Sequence, residues 1–190
     1  RERQNYLFIR HPLTIAAGYI FAFTWGMCLL SLIRNPFKHW DSVLALVFHF
    51  GIGCLLLFTV GWLGFLLAFL VPAVISSAIG SYLIYAQHNF PSTSFEEKET
   101  WSYAKAALQS SSYMKLNNLM HWFTGNIGYH HIHHLNSMVP FYRLPEVHHA
   151  IPELQEAKET SLHPREIWAC LRLKVWDPEL GRMLSLREIR

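Results

Sequence analysis

The polar positions of this chain are bunched, and the gaps between them set the first expectations. No Lys, Arg, Asp or Glu falls between Arg10 and Arg34, and none between Asp41 and Glu96. A helix that crosses a bilayer needs about 20 mostly apolar residues. The first gap holds one such stretch, Leu13 to Ile33. The second holds two, Ser42 to Val60 and Leu63 or Leu66 to Gln87, with a break at Gly61, Trp62 and Gly64. Pro72 lies inside the last stretch, where membrane helices tolerate proline. Arg1, Arg3 and Arg10 precede the first stretch, Arg34 and Lys38 follow it, and eleven Lys and Arg follow Glu96. The excess of cations on cytoplasmic loops assigns all three groups to that side. The second and third stretches then form a transmembrane hairpin with its uncharged tip outside. The first begins and ends on one side, so it is expected to be interfacial or re-entrant.

Past the hairpin the pattern changes. Ser94 with Glu97 fits a capping box and predicts a helix from Phe95 to about Gln109. A break at Ser110, Ser111 and Ser112 precedes a helix near Lys115 to Phe123. Pro140, Pro145 and Pro152 punctuate the next part. Pro164 opens an amphipathic helix with Arg165, Arg172 and Lys174 on one side and Ile167, Trp168 and Leu171 on the other, suited to lie on a membrane surface or to cover the preceding region. The expected fold class is all-α. Residues 1–90 form the membrane region, 91–150 a cytoplasmic helical region rich in histidine, and 151–190 an amphipathic tail.

Composition agrees with this. Of the 190 residues, 52% are hydrophobic and 15% charged, where a soluble domain has about 25% charged. This argues against a soluble globular protein, a disordered chain and a disulfide-stapled secreted module. The net charge of +3 comes with no dense basic run, so no nucleic-acid partner is expected. Cys28, Cys54 and Cys170 form no CxxC pair and indicate neither a disulfide framework nor a thiolate site.

The chain has twelve histidines, four of them within the run His130-His131-Ile132-His133-His134. Successive helical residues turn by about 100°. His133 then sits near −60° and His134 near +40° from His130, so the three share a face roughly 100° wide. His131 falls at its edge. Converging neutral imidazoles suit a transition metal. His88, where the third apolar stretch ends, is a further candidate ligand. His121 is a candidate for a supporting role, and His148 and His149 are weaker ones. His49 is expected to make packing or polar contacts inside its helix. His11, His39 and His163 are expected at interfaces or the surface.

The run from Trp122 through Gly125-Asn126-Ile127-Gly128-Tyr129 to His134-Leu135-Asn136, followed by Pro140-Phe141-Tyr142-Arg143-Leu144, resembles the third histidine box of membrane fatty acid desaturases. The omega-6/delta-12 acyl-lipid type is the most similar. Tyr85-Ala86-Gln87-His88-Asn89-Phe90, Ala106-Ala107-Leu108-Gln109 with Ser111-Ser112-Tyr113, and Leu171 to Asp177 also resemble the family. The resemblance implies a di-iron centre, with His130, His133 and His134 as the third box and His88 as the extra ligand. His121, Asn126, His131 and Asn136 would support them. It implies an O2-dependent enzyme that places a cis double bond in a fatty acyl chain. Its partners would be acyl-lipid or other acyl substrate, membrane lipids, and an electron donor such as ferredoxin or cytochrome b5. The first two boxes, H-D-x-x-H and H-x-x-H-H, have no match here and would lie upstream of Arg1. Family topology then favours the non-spanning reading of Leu13 to Ile33. The chain is expected to be a C-terminal portion, inactive alone. Ser110 and His121 stand where the family more often has Gly and Gln. Two other classes share parts of this pattern: di-iron hydroxylases and acetylenases, and membrane zinc hydrolases, although no H-E-x-x-H occurs. Without the upstream boxes, a non-enzymatic membrane subunit would fit as well.

Overall fold

The computed structural model describes residues 2–97 and 99–189. Its elements are mostly helical, as the pattern predicts. They group into two units, one ending at Tyr82 and one beginning at Leu83.

The first unit opens with α1 (Glu2–Ile9) and α2 (Pro12–Ala16). Pro12 sits in the first turn of α2, and the His11 ring accepts from Leu13 N at 3.2 Å. Tyr19–Leu29 is wound wide, with π-type turns, and runs into α3 (Leu30–Arg34). A long apolar stretch follows, made of α4 (Trp40–Phe65), a second wide segment (Leu66–Leu70) and α5 (Val71–Ala86). It is not straight. Gly61 has φ +73° and ψ −179°, which breaks the helix at a position only glycine adopts without cost.

The contacts show where that break leads. The Phe69 ring lies 4.7 Å from the His49 ring, and a Cβ on Gly53 would lie 2.9 Å from Phe69. A straight helix would hold residues 49 and 69 about 30 Å apart. The chain therefore turns back at Gly61 into the expected hairpin. The first apolar segment packs on both arms. Tyr19 Oη is 2.8 Å from His49 Nε2, and a Cβ on Gly18 would meet Ser81 Oγ at 2.1 Å and the Ser77 carbonyl at 2.6 Å. His49 thus makes the polar contact expected of it. Phe48, Leu55, Phe58, Trp62 and Leu67 remain exposed. An apolar exterior of this extent, on a helix long enough to cross a membrane, calls for a non-aqueous surround.

The second unit holds α6 (Tyr103–Gln109), β1 (Tyr113–Lys115), α7 (Asn118–Phe123), α8 (His130–Leu135), α9 (Leu144–Ala150), β2 (Glu159–Ser161), α10 (Pro164–Arg172), β3 (Leu173–Asp177) and β4 (Arg182–Ser185). β1 and β2 pair in parallel, with Tyr113 opposite Glu159 and Lys115 opposite Ser161. β3 and β4 form an antiparallel hairpin that turns at Gly181, φ +59°. Tyr129, Ile132, Leu144 and Leu154 make the core, flanked by Leu108, Tyr113 and Leu135. These two small pairings are additions to the expected all-helical fold.

Three expectations are corrected. The helix predicted from Phe95 starts only at Tyr103, where the Ser102 side chain caps it by accepting from Lys105 N. Ser94 is drawn elsewhere: its hydroxyl contacts Gln109 and Lys158, and its carbonyl accepts from Ser110 Oγ. The helix predicted near Lys115 starts at Asn118, capped by the Asn117 side chain, because Lys115 belongs to β1. Lys174, grouped with the cations of the last amphipathic helix, lies past its end in β3 and is buried, with Nζ donating to the Leu171 carbonyl at 2.6 Å.

Candidate metal centre

The segment that carries the histidines is aimed by the turn before it. α7 ends at Thr124, whose hydroxyl bonds back to the Met120 carbonyl. Gly125 and Asn126 then both take φ +59°. This left-handed pair reverses the chain, and Asn126 is one of the few residues with a Cβ that tolerates it. Its side chain donates to the Phe141 carbonyl at 3.0 Å. The turn Ile127–Tyr129 leads directly into α8. Gly128 lies flat against β1: a Cβ there would meet the Met114 carbonyl at 2.5 Å and His121 Cε1 at 2.7 Å. Ile132 and Tyr129 bury α8 in the core, which leaves the opposite face free for imidazoles.

His130 and His134, one helical turn apart, share that face. His88 reaches them from just beyond the end of α5. His88 Nε2 is 2.9 Å from His130 Nε2 and 3.0 Å from His134 Nε2, and the last two are 3.1 Å apart. The three nitrogens form a nearly equilateral triangle. Metal–nitrogen bonds of about 2.1 Å at right angles separate neighbouring donors by ~3.0 Å. The triangle therefore fits one face of an octahedral transition-metal site. Among the described residues these three form the group that can hold a metal ion.

The surroundings keep the nitrogens available. His88 Nδ1 lies 3.3 Å from the Ser110 carbonyl. Donation there puts the ring proton on Nδ1 and leaves the Nε2 lone pair facing the triangle. Burial pulls the His88 pKa down. For His130, burial first and then the neighbouring imidazoles push it down to about 3. His134 is lowered by burial and by His88 and His133. Ligands must be neutral, so burial favours the binding form. Tyr103 Oη donates to the His134 carbonyl at 2.5 Å and fixes the end of α8.

The other residues singled out from the sequence fall around this triangle. His133 is exposed and lies outside it, with its ring 5.7 Å from that of His130 and nearly parallel to it. His131 is fully buried on the far side of α8, against His148 at 5.4 Å and Tyr113 at 5.9 Å. His121 is buried and stacks on Tyr129 at 4.8 Å. Asn126 makes the left-handed turn, and Asn136 ends α8, its side chain accepting from Met138 N at 3.0 Å. His148, ranked low from sequence, is buried and stacks on Tyr113 at 4.7 Å. Tyr103 carried no sequence signal, and Tyr113 and Tyr129 stood only within the family-like segments, because the roles of all three come from contacts made across the fold. Ser110 meets His88 through its backbone carbonyl, which any residue at that position supplies.

A long apolar helical hairpin and a unit that gathers three imidazoles on one point, one buried, one half-buried and one exposed, define a histidine-rich protein associated with a lipid phase. The fatty acid desaturase family model matches residues 3–166. The chain belongs to that family. It is 40% identical over 137 residues to a fatty acid desaturase of Bacillus subtilis (strain 168), a match that covers 72% of this chain and 38% of that relative.

Proposed function

We propose that this chain is the C-terminal, third-box part of a membrane fatty acid desaturase of the omega-6/delta-12 acyl-lipid type. The observation that carries the reading is the convergence of His88, His130 and His134 Nε2 within 2.9–3.1 Å of one another. These three would hold one iron. His133, beside His130 but turned outward, would serve a second, completed by histidines from the first two boxes. An iron pair held there would supply O2 activation and redox power, which no side-chain acid or base offers to an unactivated C–H bond.

The net reaction converts –CH2–CH2– to –CH=CH– and, with two electrons from ferredoxin or cytochrome b5 and two protons, reduces O2 to two waters. The residues of this chain orient and protect the centre. Ser110 sets the His88 tautomer, Tyr103 anchors His134, and the core around Ile132 keeps α8 from rotating. In this reading residues 1–90 form the membrane region, with Leu13 to Ile33 not spanning. Residues 91–150 form the cytoplasmic His-box region, and 151–190 the amphipathic tail. Full-length protein is expected to carry iron and to make unsaturated acyl chains in cells. His134→Ala is expected to lose both, and unchanged product with unchanged iron would overturn the assignment.

A further inference from the structure

A cleft of about 370 Å³ lies between the C-terminal end of α10 and the β3–β4 hairpin, bounded by Pro91, Ala169, Arg172, Leu173, Ser185 and Arg187. Glu188 also borders it, but its carboxylate is taken by Arg182 and by the Ser185 N–H and hydroxyl, each at 2.8 Å. Arg172 and Arg187 are exposed, and among the described residues neither pairs with an acid. The cleft therefore presents two guanidinium groups beside apolar walls. Two forked donors of this kind match a phosphate monoanion or diester.

The level of the cleft says which phosphate. Tyr85, in the last turn of α5, donates to the Leu173 carbonyl at 2.8 Å. Asn89 Nδ2 donates to the Cys170 and Leu173 carbonyls at 2.9 and 3.1 Å. The end of α10 is thus bonded to the point where the apolar helix ends. Trp168 is exposed one turn before Arg172; four residues apart, the two share a side of α10, which corrects the sequence grouping that set Trp168 opposite the arginines. Indole rings concentrate at the headgroup level of bilayers. Phosphate at that level belongs to lipid, and basic pockets beside membrane helices take anionic headgroups.

We propose that this cleft binds the headgroup phosphate of an anionic phospholipid through Arg172 and Arg187, seating the C-terminal hairpin on the membrane surface. The proposal rests on the reading of α5 as a membrane helix and is independent of the metal.

The test uses full-length protein in neutral detergent, with retained phosphatidylglycerol and phosphatidylcholine counted by native mass spectrometry. Phosphatidylglycerol is expected to be preferred. The double variant R172Q/R187Q is expected to bind it about thirtyfold more weakly, while K115Q, which removes an exposed cation from β1, binds as the parent does. Iron content, measured on the same samples, stays unchanged in all three, which separates this site from the metal centre. Equal retention of phosphatidylglycerol in parent and double variant overturns the proposal. So does a parent without preference between the two lipids, or displacement of the lipid by millimolar inorganic phosphate.

Discussion

Nδ1 of His88 lies 3.3 Å from the backbone carbonyl oxygen of Ser110. That contact decides the chemistry of the opposite nitrogen, because the proton held at Nδ1 leaves Nε2 as a lone pair. It also separates two substitutions that look similar on paper. His88→Ala removes a corner of the triangle and is expected to cut bound iron and unsaturated product by about 100-fold or more. Ser110→Gly keeps the carbonyl and loses only the hydroxyl bond to the Ser94 carbonyl, so both readouts should stay within about twofold. Iron analysis and fatty acid profiling of the two variants check this. A large loss in Ser110→Gly would show that the side chain matters to the site.

His133 is expected to behave differently from His134. Its ring stands beside the triangle, 6.1 Å from the His134 ring. His133→Ala should abolish product while leaving about half of the iron in place, since the first three ligands are untouched. Complete retention of product would remove His133 from the site, and complete loss of iron would place it in the same shell as the other three.

Gly128 has no room for a methyl group. The nearest atoms, at 2.5 and 2.7 Å, are a strand carbonyl and the ring of the buried His121, neither of which can swing away. Gly128→Ala is expected to destabilise the second unit by about 1–3 kcal/mol, the usual cost of overpacking. The thermal midpoint in detergent should fall, and with it iron retention. An unchanged midpoint would mean that β1 and the turn Ile127–Tyr129 are not in contact.

Acid should weaken the metal-free protein through the buried imidazoles. His131 is lowered to about 4 by burial and then by His148, and His130 to about 3. In the unfolded chain both titrate near 6.5. Below that pH the unfolded state takes up protons that the folded state refuses, so stability falls with falling pH. The window runs from 6.5 down towards 4 for His131 and about 3 for His130. His131 alone accounts for about 2–3 kcal/mol between pH 7 and 4.5. Unfolding midpoints of chelator-treated protein across that range test this, and His131→Gln should flatten the slope. An equally steep slope in that variant would assign the effect to other groups.

The parts of this molecule that follow a local rule were legible in the sequence. The charge-free run interrupted at Gly61 marks a hairpin, because only glycine takes that backbone angle and no polar residue needs water there. His130 and His134 meet because residues four apart on a helix share a face. The same helical geometry places His133 within reach, yet His88 enters from the His134 flank, and nothing local to residues 130–134 specifies that flank. The helix start at Tyr103 was hidden for a related reason. Ser94 has capping chemistry, but Lys158 and Gln109, distant in sequence, claim it. Lys174 continues an amphipathic pattern across a boundary that periodicity does not reveal, since the switch to β3 is imposed by pairing with β4.

The parallel pairing of β1 with β2 has a bearing on how the site comes into being. The partners Tyr113 and Glu159 lie on either side of the whole segment that carries α8. Closing so long a loop carries an entropic cost that only completed contacts return. A translating ribosome therefore releases His88, His130 and His134 before it releases the strand that clasps their frame. On the proposed reading of the three histidines, metal loading is then a late event of biogenesis, and a truncation before Glu159 is expected to leave a chain that carries all three and fails to gather them.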